Sequence, residues 1–242
     1  MRWFIVFIAA ALLNNSGYSQ SFEERETSVS NVALTLNNLG MIGNSFRGSY
    51  TVLGYSSCEY PRNSGIEHLF TGGLWIGGVV NGNFRVATGA TDDPSGYSTG
   101  KGGFEFSAAE GSGLNTRSSL QENPNFTPEA ISQEDFVSDF TEKNRFVPGT
   151  SIQIQEHEPA GFNVHFEAYN WNFSFADYFV ILNYTITNDT TVPIDSVHVG
   201  YWMDGVVRNV NITTPGGTPF YNKGGNGYDD SIYTAYEFDA GG

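Results

Sequence analysis

The sequence is short of cysteine, of basic residues and of helix-forming runs, and each shortage excludes something. Cys58 is the single cysteine among 242 residues, so no intramolecular disulfide can form and stability has to come from buried apolar surface. It sits in Tyr55-Ser56-Ser57-Cys58-Glu59-Tyr60-Pro61, which carries no signature of a nucleophilic cysteine, and it reads as an inert packed thiol. Lysine and arginine total 11 against 26 acidic residues, for a formal charge of −15, with no basic cluster after Arg2. Phosphate backbones demand the opposite sign, which excludes nucleic acid as a partner and disfavours anionic lipid. There is no Gly-x-Ser-x-Gly, no His-Glu-x-x-His, no P-loop and no dinucleotide fingerprint. No apolar run reaches the roughly 20 residues of a spanning helix.

What is present begins with an export signal. Met1-Arg2 is short and positive, Trp3 to Leu13 is an apolar run of eleven residues, and Gly17 and Ser19 form a small-x-small cleavage site before Gln20. That order predicts a signal peptide over 1–20 and an extracytoplasmic home, secreted or at the outer cell surface, with no membrane span left after cleavage. Aromatics make up 15% of the chain, which argues for a substantial folded core rather than disorder.

Beyond the signal, residues 21–31 read as a flexible lead-in and 32–242 as a β-sandwich region. Twenty-nine glycines and short alternating segments between turn residues predict an all-β, antiparallel sandwich of jelly-roll or Ig-like kind, with a loop-rich insertion and little helix. Val32 to Leu36 alternates as a strand. His68 to Ala87 reads as a hairpin turning at Asn81-Gly82, a pair that accepts positive φ. The glycine pairs 72-73 and 77-78 beside Trp75 suggest bulges or close packing of backbone against the indole. From 89 to 149 the pattern weakens, and two sub-modules would divide there. Thr127 to Ser132 predicts a short helix with Pro128 at its first turn, and a second turn is expected from Ser132. Ser151 to Glu158 and Phe162 to Trp171 are expected to form a hairpin around Pro159-Ala160-Gly161. Tyr178 to Thr187 is the strongest strand, with Ser196 to Trp202 as its expected partner. The strand-like run Ser231 to Tyr236 is followed by no closing element, so the chain is expected to be the N-terminal part of a longer protein; a stop codon at 243 would overturn this.

Three segments carry a family likeness: Tyr60-Pro61 through Gly72-Gly73-Leu74-Trp75-Ile76-Gly77-Gly78; Tyr178 to Asn188 with Pro193-Ile194-Asp195; and Gly200-Tyr201-Trp202-Met203-Asp204-Gly205. In these the chain resembles large secreted β-sandwich proteins of Bacteroidetes-like bacteria, often ending in a type IX secretion sorting domain. The resemblance implies sandwich modules, sometimes placed beside peptidase or glycosidase domains.

Candidate sites are few. Glu156-His157-Glu158 with His165 and Glu167 would meet across the expected hairpin and offer a zinc-like donor set. Asp204, Asn226, Asp229 and Asp230 stand in Gly- and Asn-rich segments of the kind that supply oxygens to calcium, as do Asp92-Asp93 and Asn209. Tyr169, Trp171 and Trp202 are candidate platforms for a glycan. The leading functional expectation is a non-catalytic module for adhesion, structure or recognition, with an extracellular glycan or protein as partner. The alternatives are a carbohydrate-binding accessory region of a larger secreted hydrolase and a metal-dependent hydrolase.

Overall fold

The computed structural model describes residues 22–45, 54–91, 96–207 and 224–239. The expected signal peptide, Asp92-Asp93 and Asn209 lie outside them. Two antiparallel sheets face each other, as the alternation predicts. The first runs β1 (Glu24–Glu26), β2 (Ala33–Asn37), β3 (Met41–Ile42), β5 (Leu69–Val80), β12 (Asp195–Gly205), with β4 (Cys58–Glu59) on β2 and β6 (Asn83–Thr88) on β5. The second runs β11 (Ile181–Asn188), β10 (Phe162–Asn170), β9 (Glu134–Thr141), β7 (Ser107–Ala108), with β8 (Asn115–Arg117) also on β9. A separate hairpin joins β13 (Gly224–Asp229) to β14 (Thr234–Asp239). Helix is confined, among the described residues, to α1 (Gly96–Thr99).

The core follows from strand periodicity. In β10, Phe162, Val164, Phe166 and Ala168 are buried while Asn163, His165 and Glu167 alternate with them on the outer face. Leu74 and Ile76 of β5 and Leu36 of β2 meet them from the first sheet. An aromatic row runs across the second sheet: Phe106 to Phe140 at 5.3 Å, Phe140 to Phe166 at 6.3 Å, Phe166 to Tyr184 at 5.0 Å, then Tyr184 to Tyr201 of β12 at 5.9 Å between ring centroids. These spacings suit aromatic pairs.

The hairpin at Asn81-Gly82 is present, with φ of 51° and 80°. Gly73 is needed for backbone approach, though not to the indole: a Cβ there would sit 2.7 Å from the Gly89 carbonyl carbon and 2.9 Å from the Ala90 nitrogen.

Several expectations give way to tertiary structure. Residues 24–26, inside the expected flexible lead-in, pair with β2, and Thr27 and Ser30 are buried. The expected helix over 127–132 is a turn closed by Ala130 N–H donating to the Thr127 carbonyl at 3.1 Å. The expected turn from Ser132 gives way to β9, central to the second sheet, so the 89–149 stretch supplies three strands rather than loop alone. The acids that suggest a helix start there are instead anchors. Asp135 accepts from the Ile131 and Ser132 N–H groups at 2.7 and 2.8 Å, and Glu134 accepts from the Ser28 N–H at 2.7 Å. Residues 151–158 do not pair with β10, whose neighbours are β9 and β11. Finally, β11 and β12 do not pair with each other: β11 joins β10, and β12 crosses to the opposite sheet and joins β5.

Candidate functional site

That crossing leaves a gap. β11 ends one sheet and β12 ends the other, each paired on one side alone among the described residues. Between them the sandwich opens into an apolar cleft of about 810 Å³. Leu182, Tyr184 and Ile186 line it from β11; Val199, Tyr201 and Met203 line it from β12. Leu34, Ile42 and Leu74 of the core also face it, and Tyr178 and Phe179 line it from the segment before β11. Val199 is 56% exposed and Met203 52%, although both lie on the face of β12 that meets the core. Their register partners Ile76 and Gly72 share that face. Positions that strand alternation assigns to the interior are thus in contact with water.

The tyrosine hydroxyls of Tyr184 and Tyr201 are 3.1 Å apart and tie the two walls together at one point. Burial raises the Tyr184 phenol above its usual acidity range, so it stays protonated at neutral pH. Cys58 also lines the cleft. Burial, then the neighbouring Glu67 carboxylate, pushes its thiol up to about 12, which removes the thiolate a nucleophile needs. Glu67 itself accepts from the Ser57 and Cys58 N–H groups at 3.1 and 2.8 Å. Burial nevertheless lifts its carboxyl above the ordinary range, with Glu59 and Glu26 adding repulsion.

The other candidate residues fall into separate places. His157 is inside: its Nε2 donates to the Glu142 carbonyl at 2.7 Å, and its Nδ1 has no partner. His165 is on the outer face of the second sheet, with Nδ1 2.7 Å from Asp139 and Nε2 3.7 Å from Glu167. Glu158, 55% exposed, pairs with Arg145 and Arg85. The expected hairpin cluster is therefore dispersed, and among the described residues no group of three or more His, Cys, Asp or Glu side chains is arranged to hold a metal ion.

Asp204 and Asn226 do share a small cavity of about 270 Å³, together with Glu237, where the hairpin β13–β14 meets the end of β12. Burial and then Asp204 raise the Glu237 carboxyl. Asp229 and Asp230 lie instead at the hairpin turn, where Asp229 accepts from the Ser231 N–H and hydroxyl at 2.9 and 2.6 Å.

Tyr169 lies on the outer face of β10 with Glu167, is 6% exposed and donates its hydroxyl to Glu167 at 2.6 Å, so its ring is covered and offers no open platform. Trp171 packs on Tyr169 and Phe179, with centroids at 6.5 and 6.4 Å. Trp202 lies on the opposite face of β12 from the cleft, paired with Gly73. The three aromatics form no common surface. Sequence reading overlooked Phe173 and Phe175, which stack at 5.5 Å and are 46% and 72% exposed. Their spacing of two within Asn172-Phe173-Ser174-Phe175 was the available signal.

No known family model matches the chain, and neither a curated protein nor a solved structure matches it.

Proposed function

We propose that this chain is a non-catalytic recognition and assembly module of an exported bacterial protein, working at the cell surface or outside the cell, and that the cleft is where it engages its partner. The observation that carries this reading is the exposure of apolar side chains between two unpaired sheet edges. Exposed contiguous apolar surface rimmed by polar residues is the mark of an interaction site. Several of the acids have structural work, since Glu142, Glu134 and Asp135 hold backbone N–H groups, and burial keeps the Cys58 thiol protonated.

An environment-sensitive apolar dye tests it. The folded protein binds the dye saturably, and Val199→Lys with Met203→Lys, both at exposed positions, abolishes binding while leaving the unfolding midpoint in place. A folded protein that takes up no dye would end the reading. A second reading, binding of a carbohydrate, is favoured by the exposed stack of Phe173 and Phe175. Retention on insoluble polysaccharide, lost in Phe175→Ala, would support it; no retention would remove it.

A further inference from the structure

We infer that the occupant of the cleft is an extended polypeptide strand from a separate partner, added to the free edge of β12, with apolar side chains at alternate positions and basic residues at its ends. This rests on the recognition reading above and specifies its partner. The cleft is apolar, but apolarity alone would suit a lipid chain as well. Three features of the walls select a peptide. Both walls end in strand edges, β11 along its eight residues and β12 as far as Met203, where the hairpin β13–β14 meets its end, that no other described strand pairs with. Such edges present rows of N–H and C=O groups that a lipid cannot satisfy and an added strand can. Apolar residues on each wall recur at every second position, 182, 184, 186 and 199, 201, 203. That repeat, about 6.7 Å, is the repeat of side chains on one face of a strand.

Charge supplies the third feature. The chain carries −15 overall, and Asp195 and Asp204 stand near the two ends of β12. A partner flanked by lysine or arginine would gain favourable long-range attraction, chiefly in its rate of association. A second copy of this chain would bring the same negative charge to the same edge, which disfavours self-pairing. β12 is the edge chosen because it is the more open: residues 195–201 are exposed without interruption, whereas Leu182, Tyr184 and Ile186 of β11 are half-buried against the core.

The test uses a ten-residue peptide, Lys-Thr-Val-Thr-Val-Thr-Val-Thr-Val-Lys, with fluorescence anisotropy as readout. Expected is saturable binding that weakens at least tenfold when alternate peptide nitrogens are methylated, because methylation removes ladder hydrogen bonds and leaves apolar side chains in place. Val199→Lys is expected to weaken it as well, with circular dichroism confirming the fold. Raising salt slows association. Equal binding of the methylated peptide, or binding of laurate with none of the peptide, overturns the strand while leaving a recognition cleft. A concentration-dependent dimer that excludes the peptide assigns the edge to a second copy and likewise overturns the proposal. If neither dye nor peptide nor laurate binds, the recognition reading itself fails.

Discussion

Glu142 provides the sharpest test of how the second sheet is held. Its side chain is 1% exposed and lies just after β9. The carboxylate accepts three consecutive backbone N–H groups, from Ala160 at 3.0 Å, from Gly161, and from Phe162 at 2.8 Å. Those residues form the turn that starts β10. The carboxylate therefore fixes the point where the chain enters the centre of the sheet. Glu142→Ala leaves three buried donors with no acceptor. One unsatisfied buried donor costs about 1–3 kcal/mol. The three costs do not add fully, because water can enter the space vacated, and loss of one partner of a buried charged cluster typically costs about 3–5 kcal/mol. We expect a loss in that range, a large part of the roughly 5–15 kcal/mol that keeps such a domain folded. Glu142→Gln retains one acceptor but turns an amide N–H toward other donors, so it should fall between wild type and alanine. Urea unfolding followed by tryptophan fluorescence measures this through the midpoint at constant slope. A Glu142→Ala loss under about 1 kcal/mol would refute the claim that these hydrogen bonds organise the turn.

Four further outcomes follow from the packing and charge. Phe140→Ala, which removes a fully buried ring from between Phe106 and Phe166, should cost about 3–5 kcal/mol in the same unfolding experiment. Gly73→Ala should lose about 1–3 kcal/mol by pushing β5 away from the Gly89 backbone, and an unchanged midpoint would contradict the close approach. Cys58, raised from 9.0 to about 12, should react with a disulfide reagent at pH 8 on the order of 50-fold more slowly than the unfolded chain, since a roughly thousandfold smaller thiolate fraction is partly offset by higher intrinsic nucleophilicity; equal rates would show that burial fails to hold the proton. Glu67 holds its proton more tightly folded than unfolded, so its contribution to stability is fully present below the unfolded value and is lost as pH rises through the folded one. Glu67→Gln should therefore lessen the fall in stability between pH 4 and pH 7, and an unchanged pH profile would sink that assignment.

Strand periodicity was legible where it was uninterrupted. Phe162 to Asn170 and Ile181 to Asn188 alternate cleanly, and Asn81-Gly82 marks its turn by the φ it must adopt, so the all-β antiparallel class followed from local pattern. β9 was hidden because it opens on two acids, Glu134 and Asp135, and the partner of Glu134, Ser28, lies 106 residues away in sequence, while Ser138 interrupts the apolar repeat of Phe136 and Phe140. The clustering of His157 and His165 depended on a pairing that did not form. No single-sequence signal could have placed His157 against Glu142, since that contact is made only when β10 enters between β9 and β11.

The mistaken partner of β11 explains why the cleft exists. Successive strands joined by a short loop usually pair, roughly two times in three, and Asp189 to Ile194 is short enough for a hairpin. Had β11 and β12 paired, each would have lost its free edge to the other. Instead the loop crosses from one sheet to the other. Asn188 braces it, accepting from the Thr190 N–H at 3.0 Å and donating to the Val192 carbonyl at 2.8 Å. Val192 and Ile194 pack against the core as the loop crosses. The connection thus closes one end of the sandwich but leaves its side open along the lengths of both strands. Tyr184 and Tyr201 are left to bridge the walls through one hydroxyl contact. A Tyr201→Phe substitution would sever that contact and keep the ring. If the crossing loop holds the walls apart, stability changes by no more than about 1 kcal/mol, the net worth of one neutral hydrogen bond, and dye uptake persists. Loss of dye binding in Tyr201→Phe would instead show that the tyrosine pair, rather than the crossing loop, keeps the cleft open.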